Sequence, residues 1–317
     1  LRSRGLGDVY KRQILSGAAF GDNLAPISDT TIVSAYTQGA EMRDVVRSRF
    51  PLAISAASIS AVVFLVFGGG GEVRPLPEMQ ASLNPSGLFM LLALGIVVVS
   101  ALKGRHIIES LIYGNVAAAF VGMLIGTIRP ADIFSVPAAK GGSTGLIQAG
   151  IDNVVGAIIF AILILAVTQI LVECGIMRRI LDFAQSTLVA TVRQAELFIV
   201  GVTILASIPI SANAPAELLV GPSIVRPLGE RFGLAAARRA NLMDCAVCTI
   251  FFVLPWHIAV AAWYGALYSA AETYAIPAPP ISAALYNPYS WALLAVLLFS
   301  AFTGWNRKYA KDEAPAA

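Results

Sequence analysis

The feature that most limits what this chain can fold into is a series of long apolar windows with almost no charge. Leu52–Phe67, Gly87–Leu102, Ile107–Ile128, Val154–Val172, Leu197–Val225, Ala240–Tyr264 and Trp291–Phe302 all read this way. About 20 predominantly apolar residues in a helix cross the roughly 30 Å hydrocarbon layer of a membrane. A water-soluble core of 317 residues has no need for so much apolar surface. Here 57% of residues are hydrophobic, 13% are charged and the mean hydropathy is +0.75, against about 45–50% and about 25% in globular domains. The expected fold class is all-α, a polytopic transmembrane helical bundle.

Charge argues against nucleic acid as a partner. Residues 1–13, LRSRGLGDVYKRQ, hold Arg2, Arg4, Lys11 and Arg12 against Asp8, which is the whole +3 excess. That opening lacks an initiator Met, an apolar h-region and a cleavage site, so it does not read as a signal peptide. We read 1–13 as a non-native leader on an N-terminally truncated chain, and 14–317 as the transmembrane domain. Cys174, Cys245 and Cys248 make no disulfide framework. The C-x-x-C at Cys245–Cys248 stands alone in an apolar run and reads as helix packing.

Basic loops face the cytoplasm. Arg43, Arg47 and Arg49 put a 40–50 loop inside, and Glu72 and Glu78 leave the next connection outside. Lys103 with Arg105, then Arg178 with Arg179, return inside. Residues 176–193 read as an interfacial amphipathic helix. Orientation of the C-terminal third depends on whether 197–225 crosses once or doubles back.

Against this apolar background, SGAAFGDNLAPISDTTIVSAY (16–36) gathers Asp22, Asn23, Ser28, Asp29, Thr30 and Thr31 around Pro26. Proline removes a backbone donor and clashes with the preceding turn, so a helix opens there. Opened backbone at membrane depth is tolerated only inside protein or beside a water-filled cavity. Freed carbonyls, hydroxyls and a carboxylate are hard oxygen ligands suited to a small alkali cation. Any single Ser or Thr reads as a helix-packing hydroxyl. Asp22 and Asp29 have no Lys or Arg within the segment to neutralise them, and on a continuous helix they would lie about two turns apart. An intramembrane carboxylate is a functional candidate by default.

A second segment repeats the pattern. Asn213 precedes Pro215 as Asn23 precedes Pro26, and each Pro is followed by an apolar stretch, a Gly, a charged amphipathic turn and an Arg pair. The Pro26–Arg49 and Pro215–Arg239 separations differ by one residue. Interrupted segments in corresponding places mark transporter binding sites. Pro26 and Pro215 are the expected helix breaks, in a first repeat remnant about 14–128 and a second repeat about 153–305, joined by a connection about 129–152. Glu217 reads either as an ion-site carboxylate or as a cap on a half-helix N-terminus. His257, after Pro255-Trp256, reads either as a proton-coupling group or as a hydrogen-bonded packing histidine. His106, beside Lys103 and Arg105, reads as solvated.

Gly21-Asp22-Asn23-Leu24-Ala25-Pro26-Ile27-Ser28-Asp29-Thr30-Thr31 resembles the G-D-x-x-[SA]-P-[LI]-S-D-T-T signature of the NhaC family of sodium/proton antiporters, in the ion-transporter superfamily. Gly141–Leu181, with its VECGIMRRIL ending, is similar to the family's middle segment, and Gly221, Asn241, Asp244 and Pro255-Trp256 to its C-terminal repeat. The resemblance runs from about Ile14 onward. It implies exchange of Na⁺ for H⁺ with Asp22, Asp29, Ser28, Thr30 and Thr31 near the ion path. It also implies that the preceding helices of the first repeat itself are missing from this chain.

Taken together, the expectation is a secondary-active antiporter rather than an enzyme. The ion and proton candidates are Asp22, Asn23, Ser28, Asp29, Thr30, Thr31, Asn213, Glu217, Asp244 and His257, with Asp22 and Asp29 as transient Na⁺ ligands. Burial disfavours an ionised carboxylate and a bound cation favours it, so a proton and Na⁺ compete for one site. No resident cofactor is expected. The expected partners are Na⁺, H⁺ and the lipid bilayer of a bacterial or archaeal cell membrane, crossed several times, with homo-oligomerisation left open. A carrier of an organic carboxylate or amino acid on the same fold is the alternative. An intramembrane hydrolase using Asp22 and Asp29 has no supporting motif.

Overall fold

A computed structural model of the chain describes residues 7–67, 85–103, 105–136, 144–273 and 280–312. Gly68–Gly71, Glu72, Glu78 and Lys140–Ser143, which bear on the expectations above, lie outside the described residues, as do residues 1–6. The described residues form an all-α bundle with no named strand; their only β pairings are the isolated bridges Ser135–Thr144 and Leu234–Tyr309.

The first unit comprises residues 1–78 and 165–317. Helix α1 (Gly7–Leu24) stops before Pro26, and α2 (Asp29–Gln38) resumes after a four-residue turn. Gly39 closes α2 in the left-handed region at φ 67°, a conformation open to glycine without steric cost. Its N–H and that of Ala40 take the Tyr36 and Ala35 carbonyls. Helix α3 (Met42–Phe67) is 26 residues long, about 39 Å at 1.5 Å per residue. Val45, Arg49, Leu52, Ala56 and Ser60 are buried along it, and their three-to-four spacing places them on one face.

The second unit, residues 79–164, holds a 3₁₀ turn (Pro85–Met90) leading into α4 (Leu91–Leu102), and α5 (Ile107–Leu124), which packs against α4. Gly114 lets them approach, because a Cβ there would meet Val97 Cγ2 at 2.0 Å. A one-turn helix, Pro130–Ile133, follows. The unit boundary falls within α6 (Leu146–Glu173).

The rest of the first unit continues with α7 (Ile176–Phe183), a π turn (Ala184–Leu188) and α8 (Val192–Ile210). Thr191 and Gln194 cap α8 reciprocally, satisfying two otherwise orphaned amides. Then come α9 (Asn213–Val220), a second π turn (Gly221–Val225), α10 (Arg226–Arg231), α11 (Ala236–Phe251), α12 (Ile258–Thr273) and α13 (Pro288–Thr303). Helix α11 is the axis: every residue from Ala237 to Thr249 is buried, and it packs on α1, α2, α3, α8, α9, α12 and α13. A helix buried on all sides can carry polar residues only where each finds a partner.

Among the described residues, α3 and α8 are long and apolar enough to cross a membrane; 86–101, 108–124, 258–268 and 288–303 are shorter apolar helices.

Four expectations change. The 40–50 segment is not a loop, since α3 begins at Met42 and Arg49 is fully buried within it. The Ala240–Tyr264 stretch is not one span; it breaks between Phe251 and Ile258. The 176–193 stretch is helical only to Leu188, as α7 runs directly into a π turn, and Arg193 belongs to the next helix, after an interruption at 189–191. The break in Leu197–Val225 lies at Ser211–Ala212 rather than at Pro215, which sits in the first turn of α9, where a missing N–H has no intrahelical role.

Candidate functional site

Three interrupted helices meet around α11, and each break leaves backbone groups that need partners. At the first break the Ala25 amide still reaches Gly21 O at 2.8 Å, and the Ser28 amide reaches Ala25 O at 3.3 Å. The Asn23 carbonyl, left without an intrahelical donor where α1 ends, accepts from Arg49 Nη1 at 2.7 Å. At the second, Ser211 adopts φ 58° and its carbonyl accepts from the Ile258 amide, the first of α12, at 3.2 Å. At the third, the Phe252 carbonyl accepts from Asn287 Nδ2 at 3.1 Å. Trp256 Nε1 donates to Ile208 O at 2.9 Å. The second and third breaks therefore satisfy each other.

At the centre, Arg49 forms an ion pair with Asp244, both side chains fully buried. Arg49 Nε donates to Asn241 Oδ1 at 2.9 Å, and Nη1 donates to Thr31 Oγ1 at 2.8 Å as well as to the Asn23 carbonyl. Asp244 Oδ2 accepts from Thr31 Oγ1 at 3.2 Å and Ser34 Oγ at 3.4 Å, and its Oδ1 accepts from Cys248 Sγ at 3.3 Å. Desolvating two charges costs several kcal/mol per ion, and only good geometry with further hydrogen bonds offsets it. Here both conditions are met, so Asp244 is neutralised inside the protein.

Asp22 sits differently. It is half-buried at the end of α1, accepts from Ser28 Oγ at 2.7 Å and has Cys248 Sγ at 3.8 Å. Ser28 is the N-cap of α2 and shares a 2.9 Å hydrogen bond with Thr30. The carboxylate thus lies beside the positive end of a half-helix, while Arg49 is engaged with Asp244. Asp29 is exposed and its Oδ1 accepts from the neighbouring Thr30 amide at 2.9 Å. The two aspartates of the motif occupy different environments.

In the second break, Asn213 and Glu217 stand one turn apart on α9, both buried. All four of their side-chain polar atoms lack hydrogen-bond partners. Glu217 is within electrostatic reach of Asp244, Arg49, Asp29 and Asp22. Helix α9 packs on α2, and Gly221 at its end approaches Thr37 so closely that a Cβ would meet Thr37 Oγ1 at 2.8 Å. Gln38 Nε2 holds the Gly221 carbonyl at 3.1 Å.

Of the residues expected from sequence, Asp22, Asn23, Ser28, Thr30, Thr31 and Asp244 fall in one hydrogen-bonded cluster. Glu217 on α9 is within electrostatic reach of it, Asn213 stands one turn before Glu217, and Asp29 is exposed. His257 is fully buried at the third break with the Phe251 ring edge-on at 5.7 Å, and it shares no hydrogen bond with the cluster. Sequence reasoning missed Arg49, Asn241 and Tyr289, whose hydroxyl donates to Asn23 Oδ1 at 3.1 Å. It also took Cys245 and Cys248 as packing residues, whereas Cys248 donates into the site and Cys245 Sγ accepts from Asn23 Nδ2 at 3.6 Å. A signal for Arg49 was present: it falls in phase with Val45, Leu52 and Ala56 on the buried face of α3.

Residues 9–69 match the model of the Na+/H+ antiporter family. Over 94% of its length the chain is 26% identical to the arginine/ornithine antiporter ArcD of Halobacterium salinarum, covering 63% of that protein. It is 22% identical to an uncharacterised Na(+)/H(+) antiporter of Haemophilus influenzae, over 82% of this chain and 60% of the relative. A 69-residue stretch, 21% of this chain and 15% of the relative, is 38% identical to the malate-2H(+)/Na(+)-lactate antiporter of Bacillus subtilis. The chain thus spans about three fifths of the length of the first two relatives. No solved structure matches. The matches make the chain similar to membrane antiporters.

Proposed function

We propose that this chain forms the ion-handling part of a secondary-active antiporter that exchanges Na⁺ for H⁺ through the carboxylate of Asp22. The single observation that carries the reading is the contrast between two aspartates. Asp244 is closed off by Arg49, while Asp22, half-buried at a helix break, has a serine hydroxyl and a thiol against it. Such a carboxylate needs a proton or a cation to complete it, and one group cannot hold both. Ser28, Thr30 and Thr31 supply hydroxyl oxygens of the hardness Na⁺ prefers, and α2 gives the site a rigid wall. Competition at one site makes each flux depend on the other, and NhaC-type exchange follows if the protein alternates its access. The repeat reading of 14–128 and 153–305 belongs to the same proposal, with the parallel order of break, half-helix, glycine and buried arginine as its support.

The experiment is reconstitution of the protein with its neighbouring coding sequence in proteoliposomes carrying an internal pH dye. An imposed Na⁺ gradient should drive proton movement, and Asp22→Asn should abolish it. Unchanged Na⁺-driven flux in Asp22→Asn defeats the reading.

The similarity to an arginine/ornithine antiporter over 94% of the chain favours one alternative, a carrier exchanging organic solutes on the same fold. Counterflow of labelled amino acids or carboxylates in the same vesicles, with no Na⁺-driven proton movement, would select it.

A further inference from the structure

We propose that Glu217, with Asn213 one turn before it, is a second proton-carrying carboxyl, separate from the cation-holding carboxylate of Asp22. The inference rests on the antiport reading for its purpose in a transport cycle, but its chemistry stands on the burial of α9 and the charges around it.

Glu217 is fully buried and neither of its oxygens has a hydrogen-bond partner. An ionised carboxylate in that position would bear the full desolvation penalty with nothing to offset it. Its fixed neighbours make ionisation less favourable still. Asp29 on α2, Asp244 on α11 and Asp22 on α1 are acidic, and Arg49 on α3, the cation among the leading charges acting on it, is already paired with Asp244. The charged residues of α8, Arg193 and Glu196, lie about four turns back from the break, and the π turn after α9 carries none. A neutral acid suits these surroundings.

Asn213 makes the assignment chemical. A protonated carboxyl offers one donor and an acceptor, and a primary amide offers the same pair. The two side chains lie one turn apart on the same face of α9, where i and i+4 groups meet, and Asn213 is buried with both amide atoms unpaired. Protonated, Glu217 can donate to the amide oxygen and accept from the amide nitrogen; ionised, it loses the first of these bonds. The pair therefore distinguishes a proton-loaded carboxyl from an empty one. A cation arriving at Asp22 removes one negative neighbour of Glu217 and eases release of its proton, which couples the two sites without any shared ligand.

Infrared difference spectroscopy of the purified full chain in lipid vesicles reads the carboxyl directly and does not depend on transport. The expected result is a protonated-carboxyl stretching band at neutral pH that Glu217→Gln removes, Glu217→Asp restores at an altered frequency and Asp22→Asn keeps. Asn213→Leu should shift that band, which gives an independent readout if Glu217→Gln does not fold. No such band in the wild-type protein, or a band unaltered by Glu217→Gln and Asn213→Leu, overturns the proposal. Loss of Na⁺-driven proton flux in Asp22→Asn combined with a band that neither α9 variant alters would sink this inference while leaving the antiport reading intact.

Discussion

Arg49 of α3 and Asp244 of α11 face each other as a fully buried ion pair, and around it the protein ties α3 and α11 to both sides of the α1–α2 break. The guanidinium spans the freed carbonyl of Asn23, the hydroxyl of Thr31 and the amide of Asn241. A planar fork of five donors is suited to such a junction in a way that a lysine is not. The pair leaves Asp244 charge-compensated, whereas Asp22 has a serine hydroxyl and a thiol against it.

Removing both members of this pair should cost clearly less than the sum of removing each alone. Arg49→Met leaves Asp244 buried and uncompensated, a change that costs about 3–5 kcal/mol; Asp244→Asn alone should cost a comparable amount. The double variant should lose clearly less than the two singles combined. Thermal unfolding in detergent across the four proteins measures this, and strict additivity would show that the side chains do not interact.

Ser28 donates to Asp22 at 2.7 Å, and hydrogen bonds to charged groups contribute about 1.5–3 kcal/mol. Ser28→Ala should therefore weaken apparent Na⁺ affinity by at least about tenfold while leaving the fold intact. Isothermal titration with Na⁺ tests this, with Ser58→Ala on α3 as a control that should bind normally. Equal affinities in the two variants would exclude Ser28 from the site.

Gly221 touches the end of α2: a methyl group at its Cα would meet Thr37 Oγ1 at 2.8 Å and Thr37 Cβ at 3.0 Å. Gly221→Ala should force α2 and α9 apart at a cost of about 1–3 kcal/mol, typical of overpacking. Thr37→Ser in the same chain removes the Thr37 methyl and should recover part of that loss. Unfolding temperatures of the three proteins give the answer.

Ser211 holds a left-handed backbone at φ 58°, which costs an L-residue roughly 1–2 kcal/mol. Ser211→Gly should be neutral or stabilising, and Ser211→Val strongly destabilising because a β-branched residue resists that conformation. If Val is tolerated as well as Gly, the break does not have the geometry described.

Glu196 joins Arg238 at 2.8 Å and Arg307 at 2.8 Å, tying α8 and α11 to the segment after α13. The Glu196 hydrogen bond holds the Arg307 guanidinium above its ordinary value, and its deprotonation lies beyond any usable pH. A raised value means the stabilisation is full at lower pH and is lost only as pH rises through the folded-state value, so stability should not fall between neutral and moderately alkaline pH on Arg307's account. Arg307→Ala should lower the unfolding temperature by the same amount at both pH values. A loss that shrinks sharply with rising pH would assign the contact to another titrating group.

The sequence by itself determined the class of protein and the first helix break. Apolar windows too long and too uncharged for a soluble core require helices, and Pro26 after Asp22-Asn23 interrupts one, because both constraints are local. It also marked Glu217, beside the second Pro-bearing segment, as a candidate carboxylate, while Asp244 was singled out only by the family resemblance. Only the tertiary structure decided which partner each carboxylate has. Arg49 read as a cytoplasmic loop residue because it clusters with Arg43 and Arg47; those two are exposed, yet its own side chain turns inward to Asp244. The second break moved from Pro215 to Ser211 for a related reason: a proline in a first helical turn disturbs nothing, whereas the left-handed Ser211 is held by a hydrogen bond from Ile258, a residue distant in sequence. Periodicity along a chain tells which face is buried; a buried charge is stable only through the partner opposite it, and that partner is chosen by how the helices pack.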